Sequence, residues 1–373
     1  MPARVKTHKS NGVPAGASGE APLVSVVITT YNRPEYLEQA LASAINQTYS
    51  HLDILISDNH SKPNHYAAIK SIVSSFDDDR IRLVQRPENV GLQHNNVWAL
   101  RDARGVYVAN LHDDDVWEPT FVERMVEALN ETPEATMAFC DHYLIDAGGK
   151  ILHERTEENS AHWNRTMLSH GVHQPFARIG LIDRSIPGVM GAMYRHDAID
   201  WDAIPEPATA YDLWLIYLAC REGAPAFYVD ERLTRYRVHD ASQTSRGLFR
   251  LHHDLAYCYE AFARDNRLTD LADDLRWMAS RYHCSIAATY MRASKAEPAR
   301  EHFDRAIDLS YNYRSLMGWF LGRMPRGLSE RILRWRRQLL DSCPTPPPED
   351  LTTPEITRAA LKLQKSSTVA SSL

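Results

Sequence analysis

The stretch Val24-Ser25-Val26-Val27-Ile28-Thr29-Thr30, followed by Tyr31-Asn32-Arg33-Pro34, decides the fold. A β-branched run of this length reads as a strand, and Pro34 suits the first turn of a helix because its missing N–H has no partner to lose there. Leu37, Leu41, Ala44 and Ile45 then recur at helical spacing, as one core-facing stripe requires. The alternation continues with strand candidates at Leu52–Ser57, Ile81–Gln85 and Val106–Leu111. Short strands separated by helical segments predict an α/β class with a mixed, mostly parallel sheet flanked by helices. In such sheets ligands bind beyond the carboxyl ends of the strands. Thr30-Tyr31-Asn32, Asp58-Asn59 and Asp113-Asp114-Asp115 fall at those ends, which makes that edge the expected site.

The run Gly105-Val106-Tyr107-Val108-Ala109-Asn110-Leu111-His112 leads directly into Asp113-Asp114-Asp115. Three carboxylates at the end of a core strand repel and desolvate one another unless positive charge compensates them. An extended segment points residues i and i+2 the same way, so Asp113 and Asp115 are expected to converge on one divalent ion while Asp114 turns to a sugar hydroxyl or a protein group. Oxygen ligands favour Mn²⁺ or Mg²⁺ over zinc. Asp77-Asp78-Asp79 lies in a polar stretch and reads as plain surface.

The 373 residues, 44% of them hydrophobic, suffice for one sizeable core and a smaller appendage. A net charge of −6 gives no basic character pointing to nucleic acid. The five cysteines are scattered, odd in number and without a CxxC pair, which argues against a disulfide framework and fits a cytoplasmic location. No run of 18 apolar residues is present to span a membrane. The expected organisation is a flexible tail over 1–21, an enzymatic domain over 22–245, a helical region over 246–342 and a disordered tail over 343–373. Within the helical region, Leu316, Trp319 and Phe320 precede Arg323, Arg326, Arg331, Arg334, Arg336 and Arg337, so 315–340 is a candidate for peripheral contact with the inner face of a membrane or, since glycines and a proline interrupt it, for packing on the main domain.

Taken in order, Val24 to Arg33, Ile56-Ser57-Asp58-Asn59, Asn89-Val90-Gly91 with Asn96, the aspartate triplet and Tyr211-Asp212-Leu213-Trp214 resemble the inverting, nucleotide-sugar-dependent family 2 glycosyltransferases of GT-A fold. The resemblance covers roughly Pro22 to Ser245. It implies transfer of a sugar from a nucleotide-diphosphate donor to a hydroxyl of a glycan or lipid-linked acceptor. It places Thr30 and Tyr31 at the floor of the nucleoside pocket, Asp58 on the base or ribose, and Arg33, Asn89, Asn96 and Asp114 around the donor. Asp113 and Asp115 resemble the pair that holds the metal on the diphosphate, and Asp212 resembles the general base that takes the acceptor's proton. The late segment Tyr236-Arg237-Val238-His239 resembles one that folds over the phosphates, with Arg237 on phosphate and His239 on the ion. Asp58 also reads as an Asx-turn residue and Asp212 as a helix cap. Trp117 or Trp214 would suit a sugar face or a core. The loop Ser185 to Ala192 offers glycines for close approach of a ligand.

Three positions depart from the family pattern. Ser57-Asp58-Asn59-His60-Ser61 has one acid and no glycine, His94-Asn95 stands where an arginine is common, and Tyr211-Asp212 replaces a Glu-Asp pair. A nucleotidyltransferase would need a Gly-rich phosphate loop after the first strand, and Thr29 to Pro34 contains no glycine. A glycoside hydrolase would protonate its leaving group with a neutral acid, for which adjacent aspartates are less suited than for a metal. A non-catalytic protein of the same fold would be marked by a missing metal or base acid.

Overall fold

The computed structural model describes residues 21–205, 210–238 and 248–324. Its first half alternates strictly. β1 (Val24–Thr30), α1 (Pro34–Ile45), β2 (Leu52–Asp58), α2 (Pro63–Ser75), β3 (Ile81–Gln85), α3 (Leu92–Arg101) and β4 (Tyr107–His112) follow one another as expected. The second half adds β5 (Val116–Trp117), α4 (Phe121–Glu131), β6 (Met137–Ile145), α5 (His153–His162), β7 (Gly171–His173), β8 (Ala192–Arg195), α6 (Tyr211–Cys220) and β9 (Ala226–Arg237). The chain then turns helical, through α7 (Leu248–Phe262), α8 (Ala272–Arg292), α9 (Ala296–Leu309) and α10 (Tyr313–Arg323).

Among the described residues the strands form one sheet in the order β3-β2-β1-β4-β8-β6-β9-β5, with β7 also on β9. β1, β2, β3 and β4 run parallel, whereas β8 is antiparallel to both β4 and β6. Every residue of β1 is buried, which is why its sequence is a nearly continuous apolar run rather than an alternating one. Val24, Val26 and Ile28 join the core under α1 and α4, while Val27 faces the opposite core beneath α6. That second core continues into Leu255, Tyr259 and Phe262 of α7 and Leu275 and Met278 of α8, so these helices are packed on the sheet layer.

The register positions the site. Thr30 pairs with Asp58, and Thr29 with His112, so the carboxyl ends of three neighbouring strands are level. At the far end of the described chain, α10 lies against α9 through Gly318, where an added Cβ would collide with the Phe303 ring. That contact gives the glycine a packing role. No described helix is long and apolar enough to cross a membrane.

Candidate functional site

After β4 the backbone turns, with Asp115 N–H donating to the His112 carbonyl at 3.2 Å. The expected i, i+2 convergence assumed an extended chain, and the turn changes which acids meet. Asp113 swings towards β1, where Arg33 Nη2 lies 2.8 Å from its Oδ1, and is not grouped with Asp115. His112, Asp114 and Asp115 instead bring one ligand atom each to within 4.8 Å of one another. Asp115 is fully buried. Its Oδ1 accepts from Arg237 N–H at 3.0 Å, and its Oδ2 has no hydrogen-bond partner among the described residues.

The electrostatics reflect that deficit. Burial pushes the Asp113 carboxyl up to about 7 against the pull of Arg33. Burial and then Asp114 hold Asp115 well above the usual carboxylate range. Burial also lowers the neighbouring His112 imidazole. Carboxylates raised in this way, both Asp113 and Asp115 having buried oxygens without a hydrogen-bond partner among the described residues, lack positive charge, and the donor set fits a hard divalent cation.

Beneath the acids runs a buried polar ladder. Thr29 Oγ1 donates to Asn96 Oδ1 at 2.9 Å, and Asn110 Nδ2 donates to the same oxygen at 2.7 Å and to the Tyr211 hydroxyl at 3.2 Å. The Tyr211 hydroxyl lies 3.0 Å from His112 Nε2. Asn96 is thus a buried strut rather than a group facing a ligand. His112 and Asn110 were absent from the expected site, although both belong to the run that enters the aspartate triplet.

Tyr211 opens α6 and is followed by half-buried Asp212. The glycine-bearing loop reaches this residue, since a Cβ at Gly188 would lie 3.1 Å from Asp212 Cβ and 3.4 Å from its Oδ2. Trp214 of the same helix packs edge-on to Phe262, and Trp117 sits against Phe121 with its indole N–H on the Met190 carbonyl. Both tryptophans belong to the core.

At the nucleoside end, Thr30 is buried and Tyr31 is 40% exposed. Asp58 is fully buried, with Oδ2 accepting from Ser61 N–H at 3.0 Å and Gln85 Nε2 at 2.9 Å, and Oδ1 accepting from Ser61 Oγ. This arrangement uses Asp58 to hold the turn after β2 and departs from the expected direct contact with base or ribose. Asn89 and Asn59 clamp the next loop, through Asn59 Nδ2 to Asn89 Oδ1 at 3.0 Å and Val90 N–H to Asn59 Oδ1 at 2.9 Å.

Arg237 also differs from expectation. Its guanidinium donates to the carbonyls of Asp114 at 2.8 Å and Ala147 at 3.0 Å and to Gln39 Oε1 at 2.9 Å, and it stacks over Tyr36. With its donors directed to these groups and only 2% of it exposed, it braces the acidic turn from behind. Arg33, whose side chain is 30% exposed, borders the acids from the side of β1. His239, Gln243 and Ser245 lie outside the described residues, as do 1–20 and the arginines from Arg326 onward.

Residues 25–199 match the Glycosyl transferase family 2 profile. An uncharacterized glycosyltransferase of Rickettsia typhi is 26% identical over 246 residues, covering 62% of this chain and 69% of the relative. TuaG, a provisionally assigned teichuronic acid biosynthesis glycosyltransferase of Bacillus subtilis, is 27% identical over 230 residues, covering 60% and 82%. Among solved structures, TarS of S. aureus (residues 1–349) superposes with a TM-score of 0.61 at 12% identity, covering 84% of this chain and 91% of that one. The mannosyltransferase PcManGT of Pyrobaculum calidifontis, in complex with GDP-Man and Mn²⁺, does so with 0.53 at 17% identity, covering 87% and 89%. The strand order, the acids at its carboxyl edge and these likenesses agree: residues 25–199 form a glycosyltransferase family 2 domain, and the fold is GT-A.

Proposed function

We propose that this glycosyltransferase moves a sugar, with inversion, from a nucleotide-diphosphate donor to a hydroxyl of a glycan or lipid-linked acceptor. The observation that carries the reading is the buried, unpartnered Oδ2 of Asp115 beside Asp114 at the carboxyl edge of the sheet. Asp114 and Asp115 would hold Mn²⁺ or Mg²⁺, and the ion when bound would neutralise charge on the leaving diphosphate. Arg33 supplies a guanidinium able to pair with phosphate oxygens. Thr30 and Tyr31 floor the nucleoside pocket, and the Asn59–Asn89 clamp shapes its far wall.

Asp212 is the general base. It stands at the N-terminus of an apolar helix, and Gly188 leaves room above it for an acceptor hydroxyl. Solved neighbours add support, TarS having been captured with UDP-GlcNAc and PcManGT with GDP-Man and Mn²⁺. The test is nucleotide release from UDP-, GDP- and dTDP-sugars with Mn²⁺ or Mg²⁺, beside EDTA and Asp115→Asn controls. Loss of release in both controls, with an inverted anomer in the product's NMR spectrum, is expected. Metal-independent release or a retained anomer would refute the reading.

The acceptor side includes a peripheral membrane contact through 315–340. It is supported by the exposed Tyr311, Tyr313, Met317 and Phe320, which flank Arg314 and Arg323. Sedimentation with anionic vesicles, reduced by Phe320→Ser with Arg323→Gln, is the expected result. Unchanged sedimentation would remove the contact.

A further inference from the structure

The polar ladder under the acids fixes the direction of its own hydrogen bonds. Asn96 Nδ2 donates to the Leu92 carbonyl at 2.8 Å, so its Oδ1 must be the acceptor that Thr29 and Asn110 share. Asn110 therefore presents Nδ2, since a flipped amide would set two carbonyl oxygens 2.7 Å apart. The same Nδ2 group reaches the Tyr211 oxygen, which leaves the phenol accepting from Asn110 with its own proton still to place. Tyr211 is 4% exposed, and a buried hydroxyl proton without an acceptor is costly. Among the described residues the hydroxyl's hydrogen-bonding neighbours are Asn110 and His112, and of these His112 Nε2 at 3.0 Å offers the lone pair.

We infer that Tyr211 is a positioning residue that donates to His112 Nε2 and thereby keeps the imidazole proton on Nδ1, making His112 a hydrogen-bond donor to an anionic oxygen of the donor diphosphate rather than a metal ligand. This rests on the proposed reading of the site. The Nδ1 atom faces Asp115 Oδ2 at 3.9 Å, too long for a hydrogen bond, so its N–H remains open to another oxygen. An ion at Asp114 and Asp115 then takes oxygen ligands alone, which suits Mn²⁺ or Mg²⁺. Because Asp212 is the next residue along α6, the bond also ties the helix carrying the base to the strand carrying the acids.

The test uses the full chain with ¹⁵N-labelled histidine. Long-range ¹H–¹⁵N NMR reads the tautomer of His112, assigned by the signal that His112→Gln removes. A protonated Nδ1 is expected in the wild-type protein, with a shift towards the Nε2–H form in Tyr211→Phe. Spin-echo modulation of Mn²⁺ bound to the unlabelled protein should show no directly coordinated ¹⁴N. UDP and GDP, each tested without metal, serve as probes of the diphosphate contact. For whichever binds, the Kd is expected to rise on the order of tenfold in both variants. A wild-type Nε2–H tautomer, or a ¹⁴N coupling that His112→Gln abolishes, would overturn the inference. If Mn²⁺ does not bind at all while Nδ1 is protonated, the metal reading falls and the assignment of Tyr211 stands.

Discussion

Arg33 Nη2 stands 2.8 Å from Asp113 Oδ1 while its Nη1 stands 2.6 Å from Asp114 Oδ2, so one guanidinium spans two of the three consecutive acids. The pair links the loop after β1 to the turn after β4. Partial exposure limits what it adds to stability, and leaves the fork open to a diphosphate that would compete for the same donors. Replacing Arg33 by Met is expected to weaken binding of the nucleoside diphosphate about tenfold or more, as loss of a hydrogen bond to a charged group implies. Lys should restore only part, because it lacks the planar fork. Calorimetric titration with UDP and GDP checks this, and an unchanged Kd for the one that binds would remove Arg33 from the donor site.

Asp115→Asn separates function from stability. The buried acid is held far above its usual range by burial and Asp114, so the free protein bears a penalty that a neutral isostere relieves. Asn keeps an oxygen for the Arg237 N–H. The variant should melt a few degrees higher than the parent without metal, on the order of 2–4 °C for each kcal/mol relieved, and lose the thermal shift produced by Mn²⁺. A lower metal-free Tm would contradict the charge deficit.

Asp212→Asn should lower kcat by about 100- to 10,000-fold while leaving the donor Kd near its parent value, the pattern of a group that moves a proton rather than binds substrate. Single-turnover kinetics with saturating donor makes the distinction. A loss confined to KM would make Asp212 a binding or capping residue.

How much of this could be read without coordinates depends on where each residue finds its partner. Val24–Thr30 and Ile81–Gln85 are strands with the expected ends, because β-branched runs bounded by turn residues are local signals. The sheet beyond β4 has no such local signals. β8 is four residues long, and β9 runs past a register shift opposite Cys140, Asp141 and His142, which obscures its alternation. The carboxyl edge was legible for the same reason as the strands that end there. The uses of Asp58 and Arg237 were not, since Gln85 lies 27 positions from Asp58 and Gln39 lies 198 from Arg237. A single turn after His112 was enough to exchange Asp113 for His112 in the cluster.

Gly188 gives a test of fit against the base. A Cβ there would stand 3.1 Å from Asp212 Cβ, so Gly188→Ala requires the loop or the aspartate to give. The expected outcome is a kcat roughly ten- to a hundredfold lower, the scale of a small misplacement of a catalytic group. Donor affinity should be unchanged. Steady-state kinetics beside the donor Kd checks it, and full activity would show that the acceptor does not need this clearance.

The helices beyond the sheet carry an acid-sensitive cluster. Burial, and then His283, lower His253 to about 3, and burial and the same neighbour also lower His302. Glu260 is held at about 2 by His283 and Arg305 against the effect of burial. For the histidines the unfolded chain takes up protons first, so the stability they contribute is complete above the unfolded pKa of about 6.5 and is lost as pH falls towards their folded values. The lowered Glu260 contributes stability that is present above about 4.3 and lost as pH falls through its folded value. The signs agree, so the midpoint of thermal unfolding should drop between pH 7 and 5 by on the order of 5–10 °C, chiefly through the histidines, with Glu260 adding to the slope at lower pH. His253→Phe should flatten the upper part of that slope, and an equally steep curve in this variant would place the acid sensitivity elsewhere in the chain.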